Sequence, residues 1–372
     1  MKALYIHIPF CDHVCTYCDF YKMIAKDEVK IKYIKYLIKE LKLKERYLKD
    51  IKTIYIGGGT PTALPINLLD EFLGQLSKYI NLDNVVEFTI EANPNDVTVE
   101  LTNILKRRRI NRISLGVQTF NQKKINFLGR NHSKQKAIEA IQILNNVGFN
   151  NISVDLIYGA PNDKVESVEN DLKIAVDLGV KHISAYSLIL EEKTILYHLY
   201  KKGEFKPMDG DTEFEIFQNL VTFLRENNYN HYEISNYSLP GYESIHNLIY
   251  WQNQNYLGIG ASASYYIDNI RYTNIKNLDK YYEGIDKGEL NYYEKIQLTK
   301  LEQMQDEMIM GLRMTKGVNI KTFKEKFYAN IIDVFPSINK LIKYDLLKIK
   351  DDYIFIPLDK LYLSNQILSE FV

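Results

Sequence analysis

A chain of 372 residues has room for two domains, or for one large α/β barrel with an appendage, and 46% hydrophobic residues allow a sizeable core. Its 47 basic residues balance 47 acidic ones, which argues against a protein built to grip nucleic acid. The three cysteines are clustered and cannot pair off, and no window approaches the roughly 20 apolar residues of a membrane span, so a disulfide scaffold and an integral membrane protein are disfavoured and a reducing cytoplasm is expected.

The elements alternate. A strand is predicted over Ala3–Ile8, delivering the cysteine loop, and an amphipathic helix over Glu28–Leu48, with Ile34, Leu37, Ile38 and Leu41 on one face. Thr53–Ile56 reads as a short apolar strand ending in Gly57-Gly58-Gly59, followed by a helix over Pro65–Tyr79. Strands over Val85–Glu91, Arg112–Gln118, Ile152–Tyr158 and Val180–Leu188 then alternate with helices over Thr98–Lys106, Lys134–Asn146 and Val165–Leu178. Six such units imply a parallel sheet with helical crossovers. Glu91, Gln118 and Asp155 all fall in the C-terminal halves of their strands, the active end of a barrel, which favours a barrel mouth over a doubly wound sheet. The expected fold class is therefore α/β, a partial (β/α)6 TIM-like barrel over residues 1–190. The basic run Lys106-Arg107-Arg108-Arg109, with Arg112 close behind, reads as a solvated helix end rather than a phosphate site.

Residues 191–297 are less regular, with a helix over Thr212–Asn227 and a loop dense in Asn, Gln, Ser and Tyr over Tyr232–Tyr256. Helices are predicted over Lys300–Met314, Ile320–Phe327 and Ile331–Tyr344, then a hairpin over Leu347–Ile356 turning at Asp351-Asp352, and a short closing helix. Residues 298–372 should thus form a small winged-helix-like α+β domain. Such domains often bind DNA, a reading the neutral charge opposes.

The chemistry begins at Cys11-Asp-His-Val-Cys15-Thr-Tyr-Cys18. A zinc site with His7 or His13 as fourth ligand is one reading, although zinc modules usually present two separated cysteine knuckles. The other is a four-iron cluster, which takes four ligands; three thiolates leave one iron open to something that is not protein. Gly57-Gly58-Gly59-Thr60-Pro61 alone is a tight turn. It is no P-loop, but three glycines let backbone approach a ligand closely. Glu91 could accept hydrogen bonds from a ribose or an ammonium, and Gln118 could donate and accept at once. Arg130 offers a fork for a carboxylate, and Asp155 is an acid inside an apolar strand, costly without a partner. Each alone reads as a satisfied buried polar group; four at one sheet end point to a ligand site.

The cysteine spacing at the end of a first strand, with the glycine turn after the second, resembles the radical S-adenosylmethionine (SAM) superfamily. The resemblance implies a [4Fe–4S] cluster on Cys11, Cys15 and Cys18, with the amino and carboxylate groups of SAM on the fourth iron. It also implies electron-driven cleavage of SAM to methionine and a 5′-deoxyadenosyl radical. Tyr5-Ile-His-Ile-Pro-Phe-Cys11, Gly57-Gly-Gly-Thr-Pro-Thr62, Gly116-Val-Gln-Thr-Phe120 and Asp155-Leu-Ile-Tyr-Gly-Ala-Pro161 are similar to the oxygen-independent coproporphyrinogen III oxidase group, over nearly the whole chain. That resemblance assigns Tyr5, Gly58 and Glu91 to the cluster-bound SAM. It assigns Tyr17, Gly59, Thr60, Gln118, Arg130 and Asp155 to a second SAM site.

Two functions follow from the resemblance. One is oxidative decarboxylation of coproporphyrinogen III to protoporphyrinogen IX; the other, which the family's heme-chaperone branch implies, is heme binding and transfer to respiratory proteins. The oxidases carry a further cysteine two residues beyond the third, here Phe20, and an extended arm before the cysteine loop. His246-Asn-Leu-Ile-Tyr250-Trp251 resembles the H-N-x-x-Y-W signature of the chaperone branch. Residue types alone make His246 a loop histidine among aromatics. The resemblance makes it the leading heme-iron ligand, with Tyr250 and Trp251 as flat apolar area for a porphyrin. The chaperone is the favoured expectation, with [4Fe–4S], SAM and heme as cofactors, no nucleic-acid partner, a homodimer and a transient association with a membrane surface.

Overall fold

The computed structural model describes all 372 residues. The chain alternates β1 (Ala3–Ile8), α1 (Asp27–Leu43), β2 (Thr53–Gly58), α2 (Ile66–Leu76), β3 (Glu87–Ala92), α3 (Val99–Arg107) and β4 (Arg112–Gln118). A short α4 (Gln122–Phe127) precedes α5 (Lys134–Val147), β5 (Ile152–Tyr158), α6 (Val165–Asp177) and β6 (His182–Ser187). Strands β1 to β6 pair in parallel and in sequence order, with Tyr5 opposite Tyr55 and Glu91 opposite Ser114. An order without reversal has no switch point of the doubly wound kind, and the sheet curls into the expected partial barrel.

The helices form where an apolar stripe can reach the sheet. In α1 that stripe is Tyr33, Ile34, Leu37 and Leu41, all buried. The helix stops at Leu43, short of the expected Leu48, where Lys44 turns inward. Its ammonium lies 2.8 Å from Glu40 and donates to the Gly258 carbonyl at 2.8 Å, with both side chains buried. The stripes of the core helices and the outward faces of the strands merge into one continuous hydrophobic core.

The sheet does not end at residue 190. After α7 (Ile195–Lys201) and α8 (Gly210–Glu226) come β7 (Asn230–Glu233), β8 (Asn236–Ser238) and α9 (Ile245–Trp251). Then follow β9 (Tyr256–Ile259), β10 (Ser264–Ile267), β11 (Ile270–Asn274), α10 (Leu278–Asp286) and β12 (Tyr292–Gln297). The twelve strands run β12-β11-β10-β9-β1-β2-β3-β4-β5-β6-β8-β7, so residues 191–297 extend both flanks of the barrel sheet. The loop expected over Tyr232–Tyr256 is instead strand, strand and helix.

The C-terminal part holds α11 (Lys300–Gly311), β13 (Val318–Asn319), α12 (Ile320–Phe327), α13 (Ile331–Val334), α14 (Ser337–Lys343), β14 (Lys348–Lys350), β15 (Tyr353–Phe355) and α15 (Ser364–Leu368), with a three-stranded sheet ordered β13-β15-β14. One helix was expected over Ile331–Tyr344. Pro336 divides it, because the residue before a proline is driven out of the helical region, and Phe335 is extended at φ −124° and ψ 78°. The basic run of the third helix is the exposed helix end expected, and its side chains are also ion-paired or hydrogen-bonded at the surface. Arg107 and Arg108 pair with Asp70 at 3.1 and 2.7 Å, Arg109 pairs with Asp83, and Lys106 donates to the Val147 carbonyl at 2.6 Å.

Candidate functional site

Side chains alternate along a strand, so every second residue of β1 to β6 points into the barrel. Those positions here are polar to an unusual degree: Tyr5, Tyr55, Glu91, Arg112, Ser114, Gln118, Asp155, Ser184 and Tyr186 all line one cavity of about 530 Å³. Cys11, Cys15 and Cys18 line it from the loop after β1, and Tyr17, Gly58, Gly59, Thr60 and Arg130 complete it. Every residue expected at the cluster and SAM sites therefore faces a single cavity.

The floor is closed by α9. The Glu87 carboxylate of β3, buried, accepts from the backbone N–H of Ile245 at 2.8 Å and of His246 at 2.9 Å, an anion at a helix N-terminus. Ser244 caps the same end through Asn247 N at 3.3 Å. His246 is fully buried. Its Nδ1 lies 2.8 Å from the Thr53 hydroxyl and its Nε2 2.7 Å from that of Tyr250. Burial pushes its pKa down to about 3, so the ring is neutral, one nitrogen donating and the other accepting. This corrects the picture of an open loop histidine: in this arrangement neither ring nitrogen faces a ligand. Tyr250 packs its ring on Tyr256, centroids 4.5 Å apart, and Trp251 lies under the Arg313 guanidinium at 5.4 Å, so neither offers the cavity a flat face. The motif reaches the cavity through Asn247, which the sequence reading passed over.

The glycine turn has steric reasons. Gly58 has φ 117°, and a Cβ there would stand 2.5 Å from the His7 ring; one on Gly59 would stand 2.7 Å from the Phe10 carbonyl and 3.0 Å from Cys11 Sγ. The turn thus packs directly under the cysteine loop. Its Gly58 N–H donates to Glu91 at 3.0 Å, and Tyr55 donates to the other oxygen of Glu91 at 2.8 Å. Burial nonetheless raises the Glu91 pKa to about 7 and raises that of Asp155 also, opposed for Asp155 by Ser184, Arg112 and Ser114. Tyr5 donates to His7 Nδ1 at 2.9 Å, while His7 Nε2 donates to the Tyr21 carbonyl at 3.1 Å, which fixes both rings. Gln118 ends β4 at φ 69°, a left-handed conformation rare outside glycine and typical of positions held in place by function. Arg130 was expected to hold a carboxylate. Its fork instead reaches Cys15 Sγ at 3.3 Å and the Gly116 carbonyl at 2.5 Å.

The cysteines fit a cluster better than a single ion. No three His, Cys, Asp or Glu side chains gather around one metal-ion site, as zinc requires, whereas a cubane takes each thiolate on a different iron. Burial pushes the Cys11 thiol up to about 11 and raises that of Cys18, with neighbouring thiols adding to both. Such thiols keep their protons until a cation replaces them. Lys22, whose ammonium meets the Cys18 carbonyl at 2.5 Å, and Arg130 supply compensating positive charge.

Comparison with known proteins agrees with this geometry. Residues 5–175 match the radical SAM superfamily, and residues 298–358 match the HemN C-terminal domain. The chain is 37% identical to the heme chaperone HemW of Lactococcus lactis, covering 100% of this chain and 97% of that one. It is 35% identical to the heme chaperone HemW of Bacillus subtilis, covering 100% and 99%. Coproporphyrinogen III oxidase (HemN) from Escherichia coli shares the fold, with a TM-score of 0.85 at 22% identity over 100% of this chain and 90% of that one. No helix is long and apolar enough to cross a membrane.

Proposed function

The chain belongs to the HemW family of the radical SAM superfamily, and from that premise we propose that it is a heme chaperone. Cys11, Cys15 and Cys18 would hold a [4Fe–4S] cluster, and Tyr5, Gly58 and Glu91 the SAM bound to it. Tyr17, Gly59, Thr60, Gln118, Arg130 and Asp155 would line a second SAM site. When bound, the cluster supplies electron transfer to SAM; the chain's own part is to place the thiols, the glycine turn and two high-pKa carboxylates around one cavity. Heme would be handed to heme-requiring respiratory proteins.

The observation that carries this reading is the full-length likeness to two proteins named heme chaperone, together with the character of the cavity mouth. Where the oxidases carry a further cysteine, Phe20 is 68% exposed beside the cluster loop, and Ile189, on the same cavity, is 64% exposed. Apolar side chains left this open suit a flat apolar ligand. Of the seven histidines only His13 lines the cavity. Its Nε2 donates to the Gly129 carbonyl at 2.6 Å, which leaves the Nδ1 lone pair free, and on this reading His13 replaces His246 as first candidate for the heme iron.

The test is to reconstitute the cluster and titrate hemin. A saturable Soret change with retained heme is expected. No Soret change and no retained heme would sink the reading, and conversion of coproporphyrinogen to protoporphyrinogen would make the protein an oxidase.

A further inference from the structure

Arg112 opens β4 and is 2% exposed, among the largest fully buried side chains of the protein. Its guanidinium carries five N–H donors. None of them makes a hydrogen bond or an ion pair within the protein, and Nε is fully enclosed and unpartnered. The side chain nevertheless lines the cavity, at the N-terminal end of its strand and hence near the floor, with Ser114 one step above it on the same face. The buried acids nearby are engaged elsewhere: Glu87 with the α9 N-terminus, Glu91 with Tyr55 and Gly58, Asp155 with Ser114 at 3.4 Å. His182, on the neighbouring inward face, is taken up by the Ser153 and Tyr232 hydroxyls, one at each ring nitrogen. A buried cation with an unused planar fork, facing open volume, is complete only when an anion of matching shape enters.

We propose that Arg112 is the receptor for a ligand carboxylate at the cavity floor. The guanidinium pairs side by side with the two oxygens, and the ligand enters from the mouth with that group leading. The inference rests on the cavity being a ligand site, as in the function proposed above. Two ligands bring a free carboxylate: heme, through its propionates, and a second SAM, through its amino-acid end, the carboxylate of the cluster-bound SAM being taken by iron. The fork recognises the shared group. Burial raises the pKa of Glu91 to about 7 and raises that of Asp155, which weakens their claim on the charge of Arg112.

The test pairs each ligand with a relative lacking the carboxylate, using the full chain. Hemin is compared with hemin dimethyl ester on the chain with its cluster reconstituted, and SAM with decarboxylated SAM on the cluster-free chain, where iron cannot supply the preference. In the wild type one acid should bind roughly tenfold or more tighter than its carboxylate-free relative, and Arg112→Gln should erase that preference without weakening the carboxylate-free relative. The pair that shows the effect identifies the ligand. If Arg112→Gln does not fold, Arg112→Lys, which keeps the charge and loses the fork, should retain only part of the preference. The proposal fails if the wild type prefers neither acid, or if the variant weakens acid and carboxylate-free relative equally, in which case Arg112 only balances the buried carboxylates. Should the wild type bind no hemin in either form, the heme reading fails, while the SAM pair still decides the role of Arg112.

Discussion

His246 and Tyr250 lie one helical turn apart and close on each other, Nε2 to hydroxyl at 2.7 Å, within the floor of the barrel. The Thr53 hydroxyl holds the opposite edge of the ring. The most conspicuous motif of the family's signature thus works as a peg between α9 and β2. Replacing His246 by Ala leaves two hydroxyls without partners in a buried place, at about 1–3 kcal/mol each. The variant should therefore lose about 2–5 kcal/mol in urea unfolding, while the fraction that stays folded binds hemin as the wild type does. Full stability with selective loss of the heme spectrum would overturn this assignment.

Glu91 sets a pH dependence. Its folded pKa of about 7 is above the ordinary value of 4.5, so the folded state holds a proton that the unfolded chain has released. Its contribution to stability is present below pH 4.5 and is lost as pH rises through 7. Ligand binding runs the other way. A sulfonium ligand carries positive charge and favours the carboxylate, so SAM affinity should fall as pH drops below about 7. Calorimetry between pH 8 and pH 6 on the wild type and on Glu91→Gln checks this, the variant giving a weaker and flatter profile.

Gly58 and Gly179 separate steric need from backbone strain. Both have positive φ, 117° and 74°, but a Cβ on Gly58 meets the His7 ring at 2.5 Å and one on Gly179 meets nothing within 4 Å. Gly179→Ala should cost about 1 kcal/mol. Gly58→Ala adds a core clash worth about 1–3 kcal/mol and displaces His7, and with it Tyr5. Thermal melts of the two variants give the ordering, and SAM binding should fall only in the second.

Cys15 Sγ takes a hydrogen bond from Arg130 at 3.3 Å and is only partly buried. Cys15→Ser should fold normally by circular dichroism yet lose the brown cluster chromophore on reconstitution. Unchanged iron content in that variant would contradict the ligand assignment.

The cysteine loop, the glycine turn and the strand-end polar residues were legible because strand periodicity places them on one surface without further information. α9 was not. It has only seven residues, set in a stretch dense in Asn, Gln, Ser and Tyr that reads as loop until tertiary contacts with Glu87 and Thr53 are known. Arg112 was hidden differently. In sequence it trails a basic run, yet Lys106 to Arg109 end a helix at the surface, while Arg112 begins a strand and turns inward. Three residues of separation divide a surface clamp from a buried cation.

The base of the barrel also leans outward. Trp251 stacks on Arg313, Asn253 donates to Glu307 at 3.0 Å, Glu233 bridges to Met314, and Thr315 N donates to the Tyr232 carbonyl at 3.1 Å. Asn247, at the cavity, and Trp251, at this seam, are four residues apart on one helix, about 6 Å. The C-terminal segment is thus a foundation for the cavity rather than an annex to it. A chain cut at residue 297 would keep every cysteine, the glycine turn and every strand-end acid and still lack the ground on which α9 rests.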